Sequence, residues 1–259
     1  MPNNQIIDRF NLFDIVSNRL LLYLHAISIK MIQKISLILC FFLSTTLFSQ
    51  IHEIGAFLGG SNYIGDVGPT TYIDPNQLAL GVVYKWNKSP RHAYRISYMQ
   101  SNLNSNDLDS KEASRSGRGY YFENNIKELS LGLEFNFFDF NLHQLENKTT
   151  PYVHSGVSYI RYSSLYFTNG NNEAQTDSRR GTIAIPMTVG IKTKLNRQFI
   201  LGLEIGARYT FADDIDGSKA ANENLSQFNF GNLNNNDWFV FSGVTITYTF
   251  GEKPCYCAE

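Results

Sequence analysis

The chain has 259 residues, a formal net charge of −1, and 14% aromatic residues, with 15 Tyr and 19 Phe against 2 Trp. Its 22 basic and 23 acidic residues nearly balance, so the strongly basic surface of a nucleic-acid-binding protein is not expected. A mean hydropathy of −0.22 does not exclude a membrane barrel, because lipid-facing residues occupy only every second position of a spanning strand.

The first 50 residues contain the layout of an export signal. A basic segment beginning at Met31 precedes the apolar run Ile35–Leu47 and the small residue Ser49, where cleavage is expected. The run is shorter than the roughly 20 residues that a membrane-spanning helix needs. We therefore expect residues 1–30 to be an upstream mis-start and 31–49 a cleaved signal peptide. The alternatives are a genuine leader before Met31 and a buried core helix at the apolar run.

After residue 50 the sequence alternates between apolar and polar residues with period two, which predicts strands. In the fourth segment Leu129, Leu131 and Leu133 fall on one face, while Glu128 and Glu134 fall on the other. We predict eight strands, at residues 51–60, 77–86, 92–101, 126–138, 152–163, 182–194, 199–211 and 237–250.

The predicted connections alternate between long and short. The long ones, such as 102–125, 164–181 and 212–236, are rich in Asn, Gly, Ser and Asp, whereas 87–91 and 195–198 are short. Long extracellular loops and short periplasmic turns are typical of outer-membrane barrels. The fold prediction is therefore all-β: an eight-stranded antiparallel up-and-down transmembrane β-barrel at residues 50–250, after a cleaved signal peptide, with a periplasmic tail at 251–259.

Alternation alone also fits a soluble, lipocalin-like barrel with an apolar interior. The glycines favour the membrane alternative. Nine of them lie on the more polar face of their strands, and glycine suits the crowded interior of an eight-stranded barrel. Aromatic pairs near strand ends, such as Tyr84 with Trp86 and Trp238 with Phe239, are typical of interfacial girdles. The glycines are Gly55, Gly59, Gly81, Gly132, Gly156, Gly190, Gly202, Gly206 and Gly243.

Charged residues on the inward face predict a network of ion pairs, because unpaired buried charges are costly. We expect this polar network to fill the lumen in place of a hydrophobic core. A conduit or ligand site is the alternative interpretation. The predicted members are Arg95, Glu128, Glu134, Lys192, Glu204 and Arg208, with Lys85 and Lys194 on the same face.

Other patterns give weak chemical signals. His154 precedes Ser158 by four residues, but no nucleophile elbow or carboxylate–His spacing accompanies them. The acidic segment 213–216 lacks the remaining ligands of a calcium loop. Cys255 and Cys257 are too few for a structural zinc site. No catalytic residue, cofactor or metal site is predicted.

Several stretches of the sequence resemble a known family, among them Glu53–Gly55, Leu58–Gly68, Tyr84–Asn87 and the cysteine-bearing tail. The element Asn62-Tyr63-Ile-Gly65-Asp66, the segment 208–216 and the last strand from Asp237 resemble the PorG-like outer-membrane barrels of Bacteroidetes, and the resemblance covers about 51–257. It implies a component of the type IX secretion system. In that family the barrel is an outer-membrane anchor for a periplasmic ring of PorK and PorN, and contributes to gliding in gliding species.

If that role applies, the contact surface faces the periplasm, and outer-membrane lipid surrounds the barrel. The candidate contacts are His143, Glu146, Lys148, Cys255 and Cys257. The expected function is therefore a non-enzymatic barrel that anchors or scaffolds a secretion complex. A narrow porin or small-ligand-binding barrel is the alternative, and a lipid-modifying barrel enzyme is the third.

Overall fold

The computed structural model describes residues 51–142, 148–232 and 234–251. Within them, eight antiparallel strands follow one another around a closed barrel, and β8 pairs with β1. Their bounds are β1 Ile51–Ile64, β2 Gln77–Asn87, β3 His92–Asn106, β4 Tyr121–Asn136, β5 Thr149–Thr168, β6 Asn171–Lys194, β7 Phe199–Thr210 and β8 Trp238–Phe250. The β3–β4 connection contains the short helix α1 (Ala113–Arg118) and a 3₁₀ segment, Asp107–Asp109; a second 3₁₀ segment is Glu223–Phe228. The predicted eight-stranded antiparallel barrel is confirmed, whereas the expected mis-start at 1–30 and signal peptide at 31–49 lie outside the described residues.

The apolar face of each strand points outward. On β4, Leu129 and Leu131 are 54% and 57% exposed, whereas the intervening Glu128 and Ser130 are buried. A belt of exposed Leu, Ile, Val and Phe around a closed barrel is the surface that a lipid bilayer covers, because closure leaves no open sheet edge facing the lipid. The protein is thus a barrel of the outer membrane. The start of β1 and the end of β8 both lie at its periplasmic end. Among the described residues, no helix has the length and apolar character needed to cross a membrane.

The β5–β6 connection differs from the prediction. Residues 164–181 were expected to form a long loop, but β5 and β6 continue through them as a hairpin that turns after Thr168. This part of the hairpin is rich in Ser, Asn, Gln and Arg because it lies beyond the lipid and meets water on its exposed surfaces. Its strands therefore lack the apolar alternation on which the prediction depended.

The glycines face the lumen, as predicted, and permit close contacts between strands. Gly59 pairs with Gly243 across β1 and β8, and Gly132 pairs with Gly156 across β4 and β5. A Cβ atom at Gly132 would lie 2.3 Å from the backbone oxygen of Ser155. Side chains at these positions would collide with the neighbouring strand, so the tight curvature of a small barrel depends on their absence.

The lumen is not polar throughout. Its extracellular half contains an apolar core in which Phe57, Phe239 and Phe241 pack together. The expectation that a polar network replaces the hydrophobic core is therefore wrong for this half of the barrel. Phe239, predicted to lie in the interfacial girdle, is fully buried inside, while Trp238 points outward and packs on Tyr209. Other members of the core are Val83, Met99, Leu103, Phe122, Ile126, Ile160 and Phe167.

Candidate functional site

The periplasmic half of the lumen contains a charge network centred on Glu134. Its Oε1 lies 2.6 Å from Lys192 Nζ, and its Oε2 lies 2.7 Å from Lys85 Nζ and 3.7 Å from Arg95 Nη1. Strands β2, β3, β4 and β6 each supply one of these residues from an inward-facing position. One carboxylate therefore contacts three cations, an arrangement that is stable only if further negative charge lies close by.

Glu204 supplies part of that charge. Arg95 donates from Nη1 and Nη2 to its two carboxylate oxygens, each at 2.8 Å, and the Tyr152 hydroxyl donates to Oε2 at 2.6 Å. This bidentate pairing is the strongest form of guanidinium–carboxylate contact. Glu53 supplies the rest, held by Asn87 at 2.8 Å and Thr247 at 2.9 Å. Three cations and three anions thus make the network electrically neutral.

A second ion pair lies closer to the extracellular end, six residues from Glu134 along β4. Arg208 Nε donates to Glu128 Oε2 at 3.0 Å, and its Nη1 donates to the backbone oxygen of Gly206 at 2.6 Å. All six residues proposed from the sequence for the lumen network lie inside the barrel and are at most 4% exposed. Lys194 lies nearer the periplasmic mouth, where it donates to the backbone oxygen of Leu142 at 2.9 Å. Where these charged residues lie, the packed side chains leave no open passage through the lumen.

The sequence analysis missed two members of the network, Glu53 and Tyr152. Glu53 lies two residues before Gly55 on the same inward face of β1, so strand parity alone was sufficient to place it in the lumen. Tyr152 lies two residues before His154 on β5 and also has inward parity. As an aromatic residue near a strand end, it was open to assignment to an interfacial girdle instead.

The residues that carry the family resemblance meet at the extracellular end. The Tyr63 hydroxyl donates to Asp237, and the backbone nitrogens of Asp66 and Val67 donate to Asp216 Oδ2 at 3.1 and 3.2 Å. Asn62 Nδ2 donates to the backbone oxygen of Thr71 at 3.1 Å. Segments that are about 150 residues apart in sequence therefore form one structure, here called the extracellular cap: residues 62–68, 107–120, 212–218 and Asp237.

Gly65 and two arginines complete the cap. A Cβ atom at Gly65 would overlap the Tyr63 hydroxyl, so only glycine leaves room for that hydroxyl to reach Asp237. Arg115 donates to the backbone oxygen of Gly65 at 2.8 Å. Arg118 donates to both oxygens of buried Asp107, at 2.7 and 2.9 Å. The cap therefore closes the outer mouth with directed hydrogen bonds.

The cap brings several carboxyl groups close together. Burial, reinforced by Asp216, raises the pKa of Asp213 to about 6, and the same two causes raise the pKa values of Asp66 and Asp237. Asp216 accepts hydrogen bonds at both oxygens from backbone nitrogens, which leaves it poorly placed to ligate a cation. Across the described ranges, no group of three or more His, Cys, Asp or Glu side chains is arranged to hold a metal ion.

The periplasmic end is built from two connections that bond to each other. The backbone nitrogen of Phe140 donates to the backbone oxygen of Pro90 at 3.1 Å, and Arg91 pairs with Asp139 at 2.6 Å. Phe140 and Leu142 pack with Ile200 in a small apolar cluster at the mouth. Of the candidate periplasmic contacts, Lys148 is partly exposed beside β5, whereas His143, Glu146, Cys255 and Cys257 lie outside the described residues.

The pair weighed as catalytic does not form a dyad. His154 and Ser158 both face the lumen, but Ser158 Oγ donates to the backbone oxygen of Ala184 at 3.4 Å. Neither ring nitrogen of His154 has a hydrogen-bond partner among the described residues. A nucleophile activated by a base requires a contact between the two groups, and none is present in this arrangement.

Comparison with known proteins gives a family and several likenesses of fold. A family model described as "Domain of unknown function (DUF6089)" matches residues 32–259. No curated protein matches the sequence. Among solved structures, the chain is similar to Ail, the attachment invasion locus protein of Yersinia pestis, at 10% identity and a TM-score of 0.39, covering 78% of this chain and 100% of that one. It is also similar to Neisserial surface protein A (8% identity, TM-score 0.43, 78% and 98% covered) and to the N-terminal β-barrel domain of Pseudomonas aeruginosa OprF (10%, 0.41, 78% and 98%).

Proposed function

We propose that this chain, which belongs to the DUF6089 family, is a non-enzymatic outer-membrane β-barrel that anchors or scaffolds a periplasmic secretion complex of the type IX kind. The observation that carries the proposal is the closed lumen. Charged groups that are at most 4% exposed fill the periplasmic half, aromatic side chains fill the extracellular half, and a hydrogen-bonded cap lies above them. A barrel filled in this way acts through its ends and its outer surface.

The periplasmic end has features that suit an anchor. The turn at 88–91 and the connection at 137–142 hold each other through the Phe140–Pro90 hydrogen bond and the Arg91–Asp139 ion pair. Both members of that pair are about half-exposed or more, so a partner meets charged groups on an ordered backbone. Preorganised contacts favour binding because little conformational entropy is lost on association.

The proposal is tested by photocrosslinking in intact membranes. A photoreactive residue at Asp139, on the periplasmic connection, is expected to form adducts with ring proteins similar to PorK and PorN. The matched control is the same residue at Asp109, which is exposed at the extracellular end and lies too far away to reach the periplasm. Recovery of the barrel without ring proteins from the Asp139 position would contradict the proposal.

The enzymatic alternative has a separate test. Because His154 and Ser158 do not contact each other, replacing His154 with Gln is expected to leave the lipid composition of the outer membrane unchanged. Loss of a lipid modification in His154→Gln, with the heat-dependent gel shift of a folded barrel retained, would favour a lipid-modifying enzyme.

A further inference from the structure

The outer surface of β3–β6 has a sharp upper limit to its apolar band. Tyr98, Leu129, Tyr159 and Ile183 are successive cross-strand partners, and all four point outward with 40–54% exposure. They therefore form one level around this side of the barrel. Because the extracellular connections continue from this end of the strands, the level marks the outer edge of the lipid-facing surface.

The next outward level is basic. Two residues closer to the extracellular end of each strand, the successive partners are Gln100, Lys127, Arg161 and Gly181, and Arg179 lies a further two residues outward on β6. The three cations line one open groove, together with Asn125, Tyr162 and Ser163. Headgroups lie at this height when acyl chains cover the apolar level below it.

Tyr159 adds a hydroxyl group to this level. A Cβ atom at Gly181 would lie 2.1 Å from the Tyr159 hydroxyl oxygen, so the ring extends upward over the bare backbone of Gly181. Gly181 is the cross-strand partner of Arg161, so the hydroxyl lies at the same height on the barrel as Arg161. The groove thus presents guanidinium, ammonium and phenol donors, a set that suits the oxygens of a phosphate group.

The three cations are not neutralised by the protein. None of Lys127, Arg161 and Arg179 takes part in an ion pair within the ranges that the structure describes. Two carboxylates, Glu123 and Asp177, occur nearby, and neither forms an ion pair with these cations within the described ranges; three cations against two carboxylates leave a net charge of +1. The groove therefore retains a positive charge that an anion can balance.

This feature is confined to one side of the barrel. At the extracellular ends of β7, β8, β1 and β2, the corresponding outer surface presents uncharged residues, including Tyr209, Trp238, Ile64 and Leu78. A girdle serving only to set the depth of the barrel in the bilayer would be spread around its circumference. Three cations on adjacent strands instead form a localised site.

We propose that Lys127, Arg161 and Arg179 bind the phosphate group of an outer-leaflet glycolipid of the lipid A class. The acyl chains of that lipid lie against Leu129, Tyr159 and Ile183. Clusters of basic residues beside an apolar surface recognise anionic lipid headgroups in this way. The site is independent of the periplasmic end, so it does not depend on the anchoring role.

The test uses the full-length mature barrel in phosphatidylcholine nanodiscs containing a small fraction of bisphosphorylated lipid A. Native mass spectrometry counts the lipid A molecules retained by the protein. The triple variant Lys127→Gln, Arg161→Gln, Arg179→Gln is expected to bind about 100-fold more weakly, since each cation near an anionic surface contributes about fivefold. The control is Lys88→Gln with Arg91→Gln and Arg197→Gln, which removes the same charge from the periplasmic end and is expected to retain lipid A normally.

Further ligands separate the sources of phosphate. Retention of lipid A that persists in the triple variant, or equal retention of dephosphorylated lipid A, would overturn the proposal. Displacement of lipid A by millimolar inorganic phosphate would also overturn it, by assigning the groove to a soluble anion. The heat-dependent gel shift reports whether the triple variant has folded, and the single variant Lys127→Gln, expected to bind about fivefold more weakly, provides the test if it has not.

Discussion

Glu134 is the residue on which the lumen network depends most strongly. Replacing it with Gln leaves Lys85, Lys192 and Arg95 around a neutral amide, and the network changes from neutral to a net charge of +1. Glu204 cannot compensate, because its single negative charge is already paired with Arg95. Removing one partner of a buried pair costs about 3–5 kcal/mol. That is a large share of the roughly 5–15 kcal/mol by which a folded domain is stable.

The measurement is urea unfolding in lipid vesicles, followed by the fluorescence of the two Trp residues and by the gel shift of the folded barrel. Glu134→Gln is expected to lower the unfolding free energy by that amount, and the exposed Glu223→Gln by less than about 0.5 kcal/mol. Glu134→Gln combined with Lys192→Gln restores neutrality, so the double variant should lose less than the sum of the two single losses. Equal midpoints for Glu134→Gln and the wild type would refute the view that the network supports the fold.

Three further outcomes are expected. Planar bilayers containing the purified barrel should show no stepwise conductance, because the lumen is packed; steady channels in the wild type would contradict this. Gly132→Ala should destabilise the barrel by about 1–3 kcal/mol through overpacking, measured as a lower urea midpoint. The control Gly117→Ala in helix α1 should leave the midpoint unchanged, because a Cβ atom there meets nothing within 4 Å. The cap should resist proteolysis better at pH 5 than at pH 8. The folded state binds a proton at Asp213 more tightly than the unfolded state does, because the pKa of Asp213 is raised to about 6. The stability of the cap therefore falls as the pH rises from about 4 through about 6. Asp213→Asn should weaken that dependence without abolishing it, because the pKa values of Asp66 and Asp237 are raised as well, and an unchanged pH profile in this variant would assign it to those groups.

The membrane-spanning part of the fold could be predicted because each strand there meets two different environments. On β4, Leu129, Leu131 and Leu133 face lipid, while Glu128 and Glu134 face the lumen, and strict alternation records that difference. The same parity was sufficient to place the charged residues of the network inside the barrel. Parity does not give the pairing: Arg95 and Glu204 are 109 residues apart, and only closure of the barrel brings them together.

The apolar–polar alternation is lost where the two faces of a strand meet similar surroundings. The outer part of the β5–β6 hairpin has no lipid-facing side, so its sequence resembles a loop. In the upper lumen, Phe57, Phe239 and Phe241 are apolar on the inward face because they pack under the cap instead of pairing charges. The cap itself joins Tyr63 to Asp237 across 174 positions of sequence, a contact that no local pattern encodes.

The position of the cap limits what the family resemblance can say about function. Tyr63 and Asp66, two residues of the motif that carries the resemblance most specifically, contact Asp237 and Asp216 at the extracellular end. The proposed partner lies at the other end, where the turn at 88–91 and residues 137–142 form the periplasmic mouth. In this chain the motif therefore closes the outer mouth and takes no part in the periplasmic end. The crosslink at Asp139 is the decisive measurement for the secretion role, because substitutions in the motif would disturb the cap and leave the periplasmic contact unexamined.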